Sequence, residues 1–220
     1  MVHRIALIHA VRVAIPPVEE AFARHWPEAT RMNLLDDSLS RDRTRDGELT
    51  AAMVRRFVAL ADYALATGAS GILYTCSAFG PAIEAARDGK AVPVLKPNEA
   101  MFRDALGRGR RLGLLATFAP SVPSMEEELR AMARETARNV ELRSVCVPEA
   151  MAALDAGDGA RHDQLLGDAA TQLADCDAVM LAQFSTARAQ AAVAAVLACP
   201  VLTSPDSAVL WLRGAVARAS

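Results

Sequence analysis

Arg4-Ile5-Ala6-Leu7-Ile8 and Arg111-Leu112-Gly113-Leu114-Leu115 are two short apolar runs, each led by an arginine, at an offset of 111 − 4 = 107 positions. The same offset carries Pro93-Val94-Leu95 onto Pro200-Val201-Leu202 and Pro16 onto Pro123, and it lays Glu19-Glu20 over Glu126-Glu127. In this register Leu73-Tyr74-Thr75-Cys76 falls on Met180-Leu181-Ala182-Gln183. Short apolar runs without alternation read as strands buried on both faces, the kind found in parallel sheets. The chain therefore reads as a duplication in which a cysteine stands opposite a glutamine.

Working outward, strand-like runs are expected at 4–10, 30–35, 71–75 and 92–95, and again at 112–117, 142–147, 178–182 and 201–203. Helical patterns are expected at 48–67, 79–87, 98–106, 122–138, 161–174, 186–197 and 206–217. Alternation of this kind implies right-handed βαβ units. The fold class is α/β: two similar lobes, each a parallel sheet flanked by helices, duplicated about a pseudo-twofold. Lobe 1 is expected to comprise 1–98 with 207–220 and lobe 2 to comprise 99–206. Gly107-Arg108-Gly109-Arg110 is the nearest approach to a hinge. Ligands of open parallel sheets bind outside the carboxyl ends of the strands. That places the expected site in the cleft between lobes, with Cys76 and Gln183 at matching corners. The charge-dense stretch 36–46 reads either as a solvated loop or as a segment that brings Asp36, Asp37 and Ser38 into that cleft.

Composition narrows the partners. The chain is 52% hydrophobic but only 5% aromatic, which favours a helix-rich, closely packed protein over an all-β one. A net charge of −2 offers no nucleic-acid or anionic-membrane surface, so neither partner is expected. No signal peptide or membrane-spanning run is read. The four cysteines, Cys76, Cys146, Cys176 and Cys199, form no CxxC pair and no zinc spacing. A reduced, cytoplasmic protein with no metal site and no cofactor is the expectation.

Cys76 closes a strand and opens a helix between Thr75 and Ser77. A helix N-terminus presents unpaired N–H groups and partial positive charge, which depress a thiol pKa and hold carboxylates. The plainer reading of Cys76 is a small buried side chain at a strand end. Across the repeat, Thr117 ends one strand and Gln183-Phe184-Ser185-Thr186 ends another. Gln183 cannot carry a proton, but its amide can bind a carboxylate. Ser185 and Thr186 serve as N-caps, as anion-binding hydroxyls, or as both. His9, at the end of the first strand, is either a satisfied core histidine or an acid/base group. Glu99 and Asp206, another pair at the 107 offset, suit helix dipoles. Lys96 is a surface lysine unless it turns inward.

These residues resemble the aspartate/glutamate racemase superfamily, which also contains hydantoin racemases, maleate isomerases and arylmalonate decarboxylases. The likeness covers essentially the whole chain. It rests on Thr75-Cys76-Ser77, on Leu112-Gly113-Leu114-Leu115-Ala116-Thr117, and on Met180-Leu181-Ala182 before Gln183. Ala116-Thr117-Phe118 looks like the family's carboxylate-binding turn, with Pro120 where a threonine is commoner. The resemblance implies a cofactor-independent enzyme acting on a small carboxylate, with a cysteine from each lobe flanking the substrate α-carbon; homodimers are in keeping with such a family. Cys76 matches the first cysteine, and Gln183 stands in place of the second. Three readings follow. An isomerase would use His9 or Ser185 in place of the missing thiol, with Thr75, Ser77, Thr117, Gln183, Ser185, Thr186, Asp37 and Ser38 binding substrate. A single-cysteine decarboxylase is the second, and a non-catalytic carboxylate-binding protein the third.

Overall fold

The structure is a computed structural model that describes residues 3–219. Met1, Val2 and Ser220, counted in the first expected lobe, lie outside the described residues. The chain divides into two compact units, one of residues 1–97 with 208–220 and the other of residues 98–207.

The first unit holds strands β1 (Arg4–His9), β2 (Thr30–Leu35), β3 (Gly71–Tyr74) and β4 (Val94–Leu95), parallel and ordered β2-β1-β3-β4. Its helices are α1 (Ile15–His25), α2 (Ser38–Asp46), α3 (Ala51–Ala66) and α4 (Gly80–Arg87). One sheet face, carrying Ala6, Ile8, Ile72 and Tyr74, packs with Leu39 of α2, Met53 and Phe57 of α3, and Ile83 of α4. The chain enters the second unit just before α5 (Glu99–Arg108) and returns to the first within α10 (Ser204–Ala219). Within the first unit, a Cβ added at Gly71 would lie 3.3 Å from Ile5 Cδ1 and 3.5 Å from Leu212 Cδ2, so glycine permits the close approach of β3 and α10.

The second unit repeats the plan with β5 (Arg111–Ala116), β6 (Glu141–Cys146), β7 (Ala178–Leu181) and β8 (Val201–Thr203), parallel and ordered β6-β5-β7-β8. α5 and α6 (Val122–Glu135) cover the face bearing Leu112, Leu114 and Met180. Residues of α7 (Pro148–Asp155), α8 (Gly159–Ala170) and α9 (Gln190–Ala194) pack with Leu115, Val179 and Leu181.

The expected duplication is present in the registers. Ile5 pairs Gly71 as Leu112 pairs Ala178, and Ile72 pairs Val94 as Val179 pairs Val201, each at the 107 offset. The edge strands β2 and β6 differ by 141 − 30 = 111 instead, so the single ungapped offset does not hold there.

Four segments depart from the sequence-based expectations. Residues 38–46 form helix α2 where a solvated loop was one reading. The charges are paired, Arg56 Nε reaching Asp36 at 3.1 Å and Arg56 Nη1 reaching Asp42 at 2.7 Å, while Leu39 is wholly buried and Gly47 ends the helix at φ 72°. Helices α1 and α7 were not anticipated; both carry proline in the first turn, where a missing N–H costs no hydrogen bond. The helix expected at 79–87 begins instead as a three-residue 3₁₀ turn, Ser77–Phe79, and α4 follows it. No described helix is long and apolar enough to cross a membrane.

Candidate active site

In each unit both central strands stop just before a 3₁₀ turn, and the corners after β3 and β7 are built differently. In the first unit β3 runs out through Thr75 to Cys76, whose backbone keeps extended angles of φ −123° and ψ 116°. Cys76 and Ser77 are half-buried, and the Ala78 backbone N–H is directed to the thiol sulfur. Burial pushes the Cys76 thiol above its ordinary pKa, and the Ala78 N–H offsets this only in part. The expected depression of this pKa is therefore corrected. A three-residue turn aligns too few peptide dipoles to outweigh desolvation.

His9 ends β1 beside this corner and is wholly buried. Nδ1 lies 2.8 Å from Thr75 Oγ1, and Nε2 lies 2.8 Å from Asn33 Oδ1 on β2. Burial pushes the His9 pKa below its ordinary value, outweighing the upward pull of Asn33 and of the Glu19 charge. Both ring nitrogens of His9, the residue expected as an acid/base group, are thus engaged inside the unit. Asn33 in turn donates from Nδ2 to Glu19 Oε1 at 2.7 Å, and Arg31 Nε donates to Glu19 Oε2 at 2.9 Å.

Asp37 forms ion pairs with Arg12 at 3.4 Å and Arg41 at 3.2 Å. The Ser38 hydroxyl donates to Asp36 Oδ1 at 2.6 Å and accepts from Arg56. Both side chains thus have partners around the start of α2. Lys96 pairs with Glu84 at 3.0 Å, Glu99 with Arg103 at 2.8 Å, and Asp206 accepts from Thr203 Oγ1 at 2.7 Å.

In the second unit the backbone at Gln183 turns into the positive-φ region, φ 72° and ψ 145°, which non-glycine residues rarely adopt. The turn swings the side chain back along the strand ends. Gln183 Oε1 accepts from the Thr117 backbone N–H at 3.2 Å, and Gln183 Nε2 donates to Ser121 Oγ at 2.8 Å. A backbone N–H can only donate, so this contact also fixes which end of the amide is oxygen. Thr117, buried at the end of β5, presents its N–H and hydroxyl to that oxygen, the hydroxyl at 3.5 Å. The Thr186 hydroxyl donates to the Ala182 carbonyl at 2.7 Å and the Gln183 carbonyl at 2.8 Å, closing the turn from inside; Ser185 is half-buried beside it.

The structure thus gathers Thr75, Cys76, Ser77 and His9 at one corner, and Thr117, Gln183, Ser185 and Thr186 at the other. Asp37 and Ser38 pair with Arg12, Arg41, Asp36 and Arg56 at the start of α2. Asn33 and Ser121 were not picked out as functional by sequence reasoning, and Glu19 appeared only as a mark of the repeat. An asparagine amid a strand and a glutamate at matched places in both halves were the available signals. Among the described residues no group of three or more His, Cys, Asp or Glu side chains is placed to hold a metal ion.

The sequence profile described as Asp/Glu/Hydantoin racemase matches residues 16–210. The chain belongs to the Asp/Glu/hydantoin racemase family. No curated protein matches it in sequence. Solved structures of the family's α/β fold align over nearly all of it. Glutamate racemase isoform RacE1 from Bacillus anthracis is 15% identical with a TM-score of 0.72, covering 98% of this chain and 82% of that one. Allantoin racemase from Klebsiella pneumoniae is 16% identical with a TM-score of 0.73, covering 98% and 88%. Arylmalonate decarboxylase is 20% identical with a TM-score of 0.61, covering 99% and 92%.

Proposed function

We propose that this member of the racemase family is a cofactor-independent isomerase acting at the carbon alpha to a carboxylate, with Cys76 as its acid/base group. The observation that carries this reading is the Cys76 corner: a half-buried thiol at a strand end, met by a backbone N–H and followed by Ser77. In the reaction the thiolate takes the α-proton, the electron pair passes into the carboxylate as an enediolate, and a proton returns to the opposite face. Stabilising the enediolate falls to N–H and hydroxyl donors such as those of Ser77. Gln183, at the equivalent place in the repeat, cannot exchange a proton, so the returning proton comes from water.

One observation favours a second reading, a single-cysteine decarboxylase. Burial keeps the Cys76 thiol protonated at neutral pH, the form needed in a proton donor. There the bond to the departing carboxylate breaks, carbon dioxide leaves, and the electron pair left on the α-carbon takes the thiol proton. A panel of 2-substituted mono- and dicarboxylic acids in deuterium oxide separates the two. Deuterium at the α-carbon of recovered substrate supports the isomerase, and release of carbon dioxide supports the lyase. Cys76→Ala is expected to abolish either activity; full turnover by that variant would reject both. Binding of a carboxylate without turnover across the panel would identify a non-catalytic binding protein.

A further inference from the structure

The polar atoms around His9 are ordered in one direction. The Glu19 carboxylate only accepts, and it takes hydrogen bonds from Arg31 Nε at 2.9 Å and Asn33 Nδ2 at 2.7 Å. With its nitrogen turned to Glu19, Asn33 shows His9 an oxygen, 2.8 Å from Nε2. An oxygen at that distance requires the ring proton on Nε2. The neutral ring then has its lone pair on Nδ1, which accepts from the Thr75 hydroxyl at 2.8 Å, while the other acceptor within reach, the Ile8 carbonyl, lies at 3.4 Å.

The second unit serves as an internal control. Ala116 and Ala182 occupy the places of His9 and Thr75 at the 107 offset, and both are fully buried. The fold therefore does not require a polar pair at this strand end. The outer part of the chain does recur: Ser144 Oγ donates to Glu126 Oε1 at 2.5 Å, and Ser144 pairs with Leu114 on the sheet as Asn33 pairs with Leu7. Only in the unit with Cys76 does the polar chain continue inward to the residue that precedes the thiol.

We propose that Glu19, Asn33 and His9 are positioning residues: they fix His9 as its Nε2–H tautomer and turn the Thr75 hydroxyl proton inward, away from any ligand. The Cys76 corner then offers a carboxylate the Ser77 hydroxyl and backbone N–H groups, and Thr75 is removed from the set of donors. This consequence for binding rests on the reading of Cys76 given above; the tautomer does not.

Nitrogen-15 NMR of histidine-labelled full-length protein at neutral pH tests the tautomer, with His9 assigned by the signals lost in His9→Phe. The expected result is a protonated Nε2 and an unprotonated Nδ1. Asn33→Leu, at an exposed edge-strand position, is expected to fold as the wild type and give mixed tautomers. Asn33→Asp is expected to hold His9 doubly protonated. A proton on Nδ1 in neutral wild-type protein, or an Asn33→Leu spectrum identical to the wild type, overturns the proposal whether or not turnover has been found. With a substrate in hand, Thr75→Val is expected to lower kcat while KM stays within about twofold, and Ser77→Ala to raise KM about tenfold. A tenfold rise in KM for Thr75→Val would return Thr75 to the binding set and defeat the proposal.

Discussion

Cys76 and Gln183 occupy equivalent places in the repeat, and their backbones set them apart as much as their side chains do. Cys76 continues the extended path of its strand, whereas Gln183 holds φ 72° against the preference of any residue with a Cβ. That conformation costs on the order of 1–3 kcal/mol, and the amide's two contacts with Thr117 and Ser121 return about 1 kcal/mol each. Gln183→Ala keeps the strain and loses the contacts, so urea unfolding should show a loss of about 1–2 kcal/mol. Gln183→Gly loses the same contacts but relieves the strain and should unfold later than the alanine variant. At Cys76 the sign of the pKa shift fixes a pH dependence. A raised thiol pKa means that the thiolate appears at higher pH than in an ordinary cysteine, near 8.5 as a rough reference. Iodoacetamide labelling of Cys76, read by peptide mass spectrometry, should have its midpoint above that value. Where Cys76 lies was legible in Thr75-Cys76-Ser77. The direction of its shift was not, because it depends on the following helix being a three-residue turn. The role of His9 was hidden for a similar reason, since Asn33 is remote in sequence and only the β1–β2 register brings it alongside.

Among the elements, the central strands were the most legible, because β1, β3, β5 and β7 are almost entirely buried and read as unbroken apolar runs. The helices that escaped notice are those whose signals conflict: α1 and α7 carry proline in the first turn, and α2 is nearly all polar, with Leu39 its one buried residue. A less visible device sits at the entrance to β5. The Asp177 carboxylate accepts from the Arg110 and Arg111 backbone N–H groups at 2.8 and 2.9 Å and from the Arg111 guanidinium. These hydrogen bonds, chiefly the backbone one from Arg111, hold its pKa down to about 2. A depressed carboxyl pKa stabilises the fold above the unfolded value, roughly 3.9, and that contribution is lost as pH falls through the folded value. Asp177→Asn should therefore lower the midpoint of urea unfolding at pH 7, with the gap to wild type closing between about pH 4 and about pH 2. A gap independent of pH would mean that the carboxylate's charge does not matter. Gly109 belongs to the same device: a Cβ there would stand 2.3 Å from Asp177 Cβ, so steric room, not backbone freedom, calls for glycine.

For the whole molecule, the two units differ in how the chain supplies them. Residues 98–207 are continuous, whereas the first unit needs 208–220 to complete it. Ala208, Val209 and Leu212 are fully buried, and Leu212 reaches the floor of β3 at Gly71. A fragment of residues 98–207 is expected to show cooperative thermal unfolding by circular dichroism. A fragment of residues 1–97 should not, until a peptide carrying 208–220 is added. The repeat itself has a further consequence. The four extra residues between β5 and β6 are cancelled before β7 begins, so that 10–70 and 117–177 are cassettes of equal length hung between the same two central strands. The extra residues on one side of the edge strand are matched by a shortening on the other, so the interval between central strands is the same in both units. Copying the later cassette over the earlier one would shift no central-strand residue. His9 and Cys76 would stay in place, and the asparagine that orients His9 would be exchanged for a serine.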